Sequence, residues 1–373
     1  GDFAKHGINS TTDNVSGPGD AEGRYRERRG LGETRRLGCQ AKLEADVVID
    51  VPASSQVHRQ VVRKPHEDHD IAINPVVQPH FVEVPEPTLD EALGDLERLY
   101  TALANEWGLH DLVCEPAVVC ALQAALTDGK RQVTVAVRNG SRVIAVWPGL
   151  REKLYGIAFD VGSTTVAAHL CDLASGEVIA SAGKMNPQIR YGEDLMSRVS
   201  YIMMNPGGEA KLIAAVRGAM NELVEEVAAD AAVDVTDVVE VTVVGNPIMQ
   251  HLVLGISPVE LGTAPFALAT DSSVDVRASD IGLAINAGGY VYALPCIAGH
   301  VGADAAAVLL AEAPQRHDGV SLIVDVGTNA EILLGGAGRL LAASSPTGPA
   351  FEGAQISGGQ RAAPGAIERV RID

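Results

Sequence analysis

The sequence predicts an α/β protein built on a duplicated lobe and preceded by a small α+β module. Three observations predict it. An Asp-Val-Gly-hydroxyl turn is written twice at the end of an apolar run, in "GIAFDVGSTTVAAHL" (156–170) and in "LIVDVGTNAEILLG" (322–335). The strands and helices after the first turn fill a lobe-sized length before the strand–turn–strand pattern restarts at Leu322, so the repeat is a lobe and not a solenoid unit of roughly 20–50 residues. Earlier in the chain, "QVTVAVRNGSRVIAVW" carries Asn139-Gly140 between two β-branched runs, the pair that accepts two successive positive φ angles in a hairpin turn.

Composition sets the limits. The chain has 373 residues and is 46% hydrophobic, enough for two or more domains with real cores. Lys and Arg number 29 against 48 Asp and Glu, a net charge of −19, which disfavours a nucleic-acid partner because counterion release needs basic surface. Aromatics at 4% leave little for base stacking. No apolar run reaches the roughly 18–20 residues of a membrane span. The polar start is not a signal peptide. The five cysteines (39, 114, 120, 171 and 296) form no CxxC pair, which fits a reduced, cytoplasmic setting. A start at Gly1 without Met and an end in "ERVRID", in mid-pattern, read as a fragment.

In chain order, residues 1–35 are Gly-, Asp- and Arg-rich and read as loop. "RRLGCQAKLEADVVIDVP" (35–52) reads as a turn and two short strands, the second at Val47–Val51. Residues 53–85, with several prolines and His58, His66, His69 and His80, read as a linker with short extended pieces. Thr88 and Glu91 form a capping box that opens a helix with Leu89, Leu93, Leu96, Tyr100, Leu103 and Trp107 on one face. A second apolar helix near 116–127 and the Asn139-Gly140 hairpin complete a module over 86–150. From 151 to 373 the texture is that of the duplicated lobe: three strands up to about 186, helices near 192–204 and 207–229, a buried strand at 238–246, a helix at 301–313, and a second lobe that 51 residues after Leu322 leave incomplete.

The chemistry of the repeated turn follows from its residues. A strand delivers Asp160 to the end of a sheet, and Gly162 without a Cβ permits close approach of backbone to a ligand. Ser163, Thr164 and Thr165 add hydroxyls and clustered backbone N–H donors, which make an anion nest. The carboxylate suits Mg²⁺ held through water. Asp325, with Gly327, Thr328 and Asn329, repeats the pattern, and the two turns facing each other would clamp the phosphates of Mg·ATP. One such turn alone is a weak signal, since most Asp-Val-Gly bends are ordinary hairpins.

The same pair of turns is the phosphate-binding signature of the superfamily of sugar kinases, heat-shock chaperones and actin, which this sequence resembles over 155–373. "NPQIRYGEDLMSRVSYI" (186–202), "GNPIMQHLVLGISPVELGTAPF" (245–266), "GHVGADAAAVLLA" (299–311) and "SPTGPAFEGAQISGGQRAAPGAIERV" (345–370) are similar to one branch, the ATP-dependent reductive activators of corrinoid proteins. The segment around Cys39 resembles the end of a β-grasp ferredoxin domain of the plant type, so residues 1–52 are expected to be its C-terminal part. Its cluster needs three further thiolates in a C-x4-C-x2-C loop, expected before Gly1, and the loop that holds adenosine is expected beyond the end of the chain. The resemblance implies an actin-like fold of two RNase H-like lobes. It also implies a protein that hydrolyses ATP and passes one electron from a 2Fe–2S cluster to Co(II) on a corrinoid protein or cobalamin-dependent methyltransferase, giving Co(I). An electron donor and a homodimer are implied with it. Asp160 and Asp325 would hold the metal, Gly162, Ser163, Thr164, Thr165, Gly327, Thr328 and Asn329 the phosphates, and Cys39 the cluster in the intact protein. Asn246 is a further candidate, to contact phosphate or position water, or else a turn residue.

Other candidates are weaker. The linker histidines, with Glu67, Asp68 and Asp70 beside them, lack the helical spacing of a metal site and read as solvated. Tyr191, Asp194 and Arg198 face either a partner or substrate, or solvent. His251 follows Asn246 beside the expected cleft, Glu331 projects either into it or to the far face of its strand, and Arg361 pairs with an acidic partner. Three other functions share features of the sequence: a sugar-type kinase of a small alcohol, a nucleotide-sensing scaffold, and the activator of a radical dehydratase. Only the corrinoid activator has a use for the ferredoxin-like segment.

Overall fold

The computed structural model describes residues 11–29, 31–32, 35–38, 40–49, 72–316, 318–327 and 329–346. Two compact units divide the chain, Gly1–His58 and Arg59–Asp373. In the first, α1 (Asp20–Arg29) stands where the sequence predicts loop. Its residues carry no apolar stripe, so no hydrophobic period announces it, and Glu22–Arg26 spacing supports it instead. Glu22 is buried against Arg36 at 2.8 Å. Of the two strands predicted at 35–52, the described residues there show one isolated bridge, Leu43 to Val15, and residues 39 and 50–52 lie outside the described residues.

The second unit begins with a four-stranded sheet in the order β1-β3-β4-β2, made of β1 (Val77–Glu83), β2 (Val113–Cys114), β3 (Gln132–Arg138) and β4 (Arg142–Pro148). Helices α2 (Asp95–Trp107) and α3 (Pro116–Asp128) pack on it through Leu99, Leu103, Leu122 and Leu126. The strand β1 falls in the stretch read from the sequence as linker. Pro79 hid it, and Pro79 is tolerated because β1 is an edge strand. The helix α2 starts at Asp95 after Gly94, not at Thr88; Leu89 and Leu93 lie exposed, and Glu91 instead turns back to pair with Arg98 at 2.8 Å. Asn139 and Gly140 take φ of 52° and 63°, as their hairpin requires.

The main lobe is a six-stranded sheet in the order β7-β6-β5-β8-β10-β9. Its members are β5 (Tyr155–Val161), β6 (Thr165–Asp172), β7 (Val178–Met185), β8 (Val238–Gly245), β9 (Val274–Arg277) and β10 (Tyr290–Ala293). The meander β5-β6-β7 is antiparallel, and β8 returns parallel to β5 after α4 (Leu195–Met204) and α5 (Gly208–Asp230). Ile157, Phe159, Val166, Val241 and Val243 form the core with α5 and with α6 (Pro247–Leu254). After α7 (Ala303–Glu312), a second antiparallel meander follows: β11 (Ser321–Val326), β12 (Asn329–Gly336) and β13 (Arg339–Pro346). It repeats β5-β6-β7. A small core of Val301, Ala305 and Leu333 joins it to α7.

The α+β domain is docked on the main lobe. Ile144, Trp147, Leu154 and Val239 share one cluster, and a Cβ on Gly288 would stand 1.8 Å from the carbonyl oxygen of Ile144. Arg138 of β3 forks onto Glu240 of β8 at 2.8 and 2.9 Å and onto Asp275 of β9 at 2.7 and 2.8 Å, over the ring of Tyr290. Glu240 is buried, so removing its partner strands a charge. Arg138→Met is expected to lower the unfolding free energy by about 3–5 kcal/mol in urea titrations, with the combined Arg138→Met, Glu240→Gln variant recovering part of the loss; a cost under about 1 kcal/mol would show that the packed cluster alone holds the domains.

Candidate active site

Both repeated turns sit at the ends of equivalent hairpins. Gly162 N–H donates to the Thr165 carbonyl and Gly327 N–H to the Asn329 carbonyl, each at 2.9 Å. Val161 pairs with Val166, whereas Val326 pairs with Ala330, so the second turn is one residue shorter. A Cβ at Gly162 would meet the Thr165 carbonyl oxygen at 2.7 Å, so the turn itself demands this glycine; at Gly327 the nearest atom would be 3.5 Å away.

The first turn is held from below. Gly162 O accepts from Asn186 Nδ2 at 2.8 Å, Ser163 O from Arg198 Nη2, and Thr164 O from the Asn186 N–H at 2.8 Å. Arg198 also donates to Gly192 O at 3.0 Å and to Gln188 Oε1 at 3.2 Å. Asn186, Gln188 and Arg198 are each 0% exposed. Burial pulls the guanidinium of Arg198 down to about 10, which leaves it charged at neutral pH. The sequence leaves Arg198 facing a partner or substrate, or solvent; the structure buries it under the turn, away from solvent. Its neighbours have structural roles too: Asp194 caps α4 in a reciprocal pair with Ser197, and Tyr191 packs on Tyr201 with ring centres 5.1 Å apart.

Backbone closeness brings the other elements in. A Cβ on Gly245, at the end of β8, would stand 2.6 Å from Val161 O, and one on Gly302 would stand 2.5 Å from Gly245 O. The start of α7 therefore lies against the ends of β5 and β8. It carries Asp304, a residue the sequence reading passed over inside "GHVGADAAAVLLA". Burial first, then the charges of Glu331, Asp160 and Asp325, push the Asp304 carboxyl up to about 6, against one backbone bond from Ala305 that favours its ionised form. Asp325, Glu331 and Ser344 are successive cross-strand partners and so share one face of the second meander. That settles Glu331: it lies on the same face as Asp325, takes a hydrogen bond from Ser344 Oγ at 3.2 Å, and is raised by burial and by Asp325.

The structure thus gathers Asp160, Asp304, Asp325 and Glu331 into one electrostatic neighbourhood. Among the described residues, no three His, Cys, Asp or Glu side chains stand close enough to hold a metal ion together. Asn246 caps α6, its Oδ1 accepting from Met249 N–H at 3.0 Å, which is the turn-residue alternative. His251 is buried behind it: Nδ1–H donates to Pro247 O at 2.7 Å, Nε2 accepts from Ala269 N–H at 3.1 Å, and burial keeps the ring neutral. His80 packs edge-on against Trp107 at 4.9 Å and belongs to the core of the small domain. Cys39, Thr328, His58, His66, His69, Glu67, Asp68, Asp70 and Arg361 lie outside the described residues. Among the described residues, no helix is long and apolar enough to cross a membrane.

Comparison with known proteins agrees with this layout. Residues 66–153 match the family model of the RACo linker region, 155–316 that of the RACo middle region, and 319–373 that of the C-terminal domain of RACo, the ASKHA domain. The chain is 36% identical over 245 residues to the corrinoid activation enzyme RamQ of Eubacterium limosum, across 65% of this chain and 41% of that protein. It is 27% identical over 223 residues to the Co(II) methylated amine-specific corrinoid protein reductase of Methanosarcina barkeri, across 57% of this chain and 40% of that one. A solved structure, a reductive activator for a corrinoid, iron-sulfur protein, superposes with a TM-score of 0.72 at 32% identity, over 90% of this chain and 56% of the other. The chain therefore spans about two fifths of the length of these curated relatives.

A carboxyl whose pKa rises on folding stabilises the fold in its protonated form, so its contribution is present below the unfolded pKa and lost as pH climbs through about 6. Asp304→Asn keeps the Ala305 contact and removes the charge. Its thermal midpoint is expected to exceed that of the wild type by more at pH 7.5 than at pH 4.5; equal differences at both would place Asp304 outside the shared field.

Proposed function

Because the chain belongs to the RACo family, we propose that it forms most of the nucleotide-driven part of a corrinoid activator. In that reading the intact protein couples ATP hydrolysis to the one-electron reduction of Co(II) on a corrinoid protein to Co(I). The observation that carries it is the pair of like hairpin turns with the acid-bearing start of α7 and the Asp325–Glu331 face beside them. The names of the relatives supply the substrate class, and the ASKHA match supplies the nucleotide.

The residues fit Mg·ATP in the following way. Three turn carbonyls are occupied from below, so the opposite ends of those peptides, the N–H groups of Ser163, Thr164 and Thr165, present positive dipoles on the other side, as an anion nest does. Thr164 and its neighbours hold the phosphates there, with Gly327, Thr328 and Asn329 on the other turn. Mg²⁺ keeps most of its water and takes few protein ligands. A field shared by Asp160, Asp325, Asp304 and Glu331, without a direct cage, suits an ion held through its hydration shell. When bound, the ion neutralises charge on the phosphates. Asp160 and Asp325 would hold the ion through its water, Glu331 would set the charge beside Asp325, and Asn246 holds the entry of α6. Cys39, the proposed cluster ligand, lies outside the described residues.

Nucleotide can drive the uphill reduction only by binding one arrangement of the two lobes better than another. Contacts of one ligand with both turns provide that difference, because the turns belong to separate meanders. In the intact protein, Asp325→Ala is expected to slow ATP hydrolysis by about 100-fold or more and to abolish Co(II) reduction while leaving the visible absorbance of the cluster unchanged. Turnover of ATP at the wild-type rate in that variant would sink the assignment.

A further inference from the structure

We propose that Arg198 and Asn186 are positioning residues that turn the first Asp-Val-Gly bend into the phosphate site, Arg198 adding a buried positive charge that a bound phosphate neutralises. The proposal rests on the nucleotide reading above and adds two residues to it.

Geometry is the first support. The carbonyls of Gly162, Ser163 and Thr164 are three in a row, and all three are captured by the segment from Asn186 to Arg198. In a trans peptide the N–H points opposite to the C=O. Pinning these three carbonyls fixes the direction of three consecutive N–H groups. A free loop of Gly, Ser and Thr would sample many orientations, and ordering it on ligand binding would cost conformational entropy at each residue. The brace meets that cost in the folded chain, before any ligand arrives.

Charge is the second support. Arg198 is 0% exposed, and among the described residues no carboxylate pairs with it; Asp194 acts on it only from a distance. Its other contacts are neutral: Gln188 Oε1, Gly192 O and, at 3.5 Å, the Met249 sulfur that also touches Asn186 Nδ2. A buried, unpaired cation is expensive, and a neutral amide suffices to hold a carbonyl, as Asn186 shows. A positive charge at this place becomes favourable when an anion sits on the far side of the turn.

The test uses the full protein and compares ligands with and without phosphates: Mg·ATP, Mg·ADP and adenosine, by calorimetry. Arg198→Lys keeps the charge but loses the fork. Asn186→Leu removes one pin and keeps the charge, and Arg198→Met removes both charge and pin. Arg198→Lys and Asn186→Leu are expected to weaken Mg·ATP and Mg·ADP about 10-fold, and Arg198→Met about 100-fold, with adenosine affinity unchanged. Hydrogen exchange without ligand is expected to quicken at the amides of 163–165 in every variant. If Mg·ATP affinity is unchanged, or falls no more than that of adenosine, the proposal is overturned. If the wild type binds no nucleotide, the nucleotide reading fails, and the exchange rates alone decide the brace: unchanged rates at 163–165 in Arg198→Lys and Asn186→Leu would refute it. Should Arg198→Met not fold, those two variants carry the test.

Discussion

The carbonyl oxygen of Val161 lies 2.6 Å from where a Cβ on Gly245 would stand, and that of Gly245 lies 2.5 Å from where one on Gly302 would stand. Three elements from distant parts of the chain thus meet backbone to backbone: the end of β5, the end of β8 and the start of α7. Any side chain at these glycines would wedge them apart. The neighbourhood of the four acids depends on that contact. It puts Asp160 within the field of Asp304, and it puts α7, which packs on β12 through Ala305 and Leu333, where it carries the second turn toward the first. Asn246 completes the joint by capping α6 at the point where β8 stops. The parallel pairing of β5 and β8 aligns the two strand ends before any side chain is considered.

Charge is divided across this joint. On one side lie the dipoles of a turn whose carbonyls are tied down, with a buried guanidinium behind them. On the other lie Asp304, Asp325 and Glu331. A polyanion such as ATP brought to a chain of net charge −19 would be repelled by the acids alone. Bound together with a divalent cation it meets opposite charge on both sides. Burial first, and the neighbouring carboxylates after it, raise Asp304 and Glu331.

Much of this was legible in the sequence, and the parts that were not have physical causes. Both turns and the strand β8 follow from apolar runs that end in Asp-Val-Gly or Gly-Asn, and β8 reads most plainly because a strand buried on both faces writes a continuous apolar signal. The strand β1 was hidden because Pro79 suits an edge strand but reads as a breaker. Helix α1 was hidden because it is polar all round. Asp304 was missed because nothing local distinguishes it from a solvated acid in an alanine-rich helix; only the fold brings three other carboxylates toward it. Arg198 was misread for the converse reason. An arginine on a helix is usually solvated, and its burial depends on a turn 35 residues earlier needing a donor. The face of Glu331 could not be read from spacing, because the second turn is one residue shorter than the first and a one-residue shift exchanges the faces of a strand.

The same contacts decide which parts can move relative to one another. The small α+β domain is locked to the main lobe by Arg138, which ties β3 to both β8 and β9, and by a Gly288 approach that admits no Cβ. Those two therefore move as one body. The second meander is held differently. Its link to the main lobe is a core of three buried residues under α7, and the outer face of β11 leaves Leu322, Val324 and Val326 exposed. Among the described residues few apolar contacts cross that joint, so by those contacts rearranging it costs little compared with rearranging the docked domains. A ligand that bridges the two turns acts on the weakest joint in the described structure. Because α7 begins at Gly302 against Gly245, a shift of α7 is felt at once by the ends of β8 and β5.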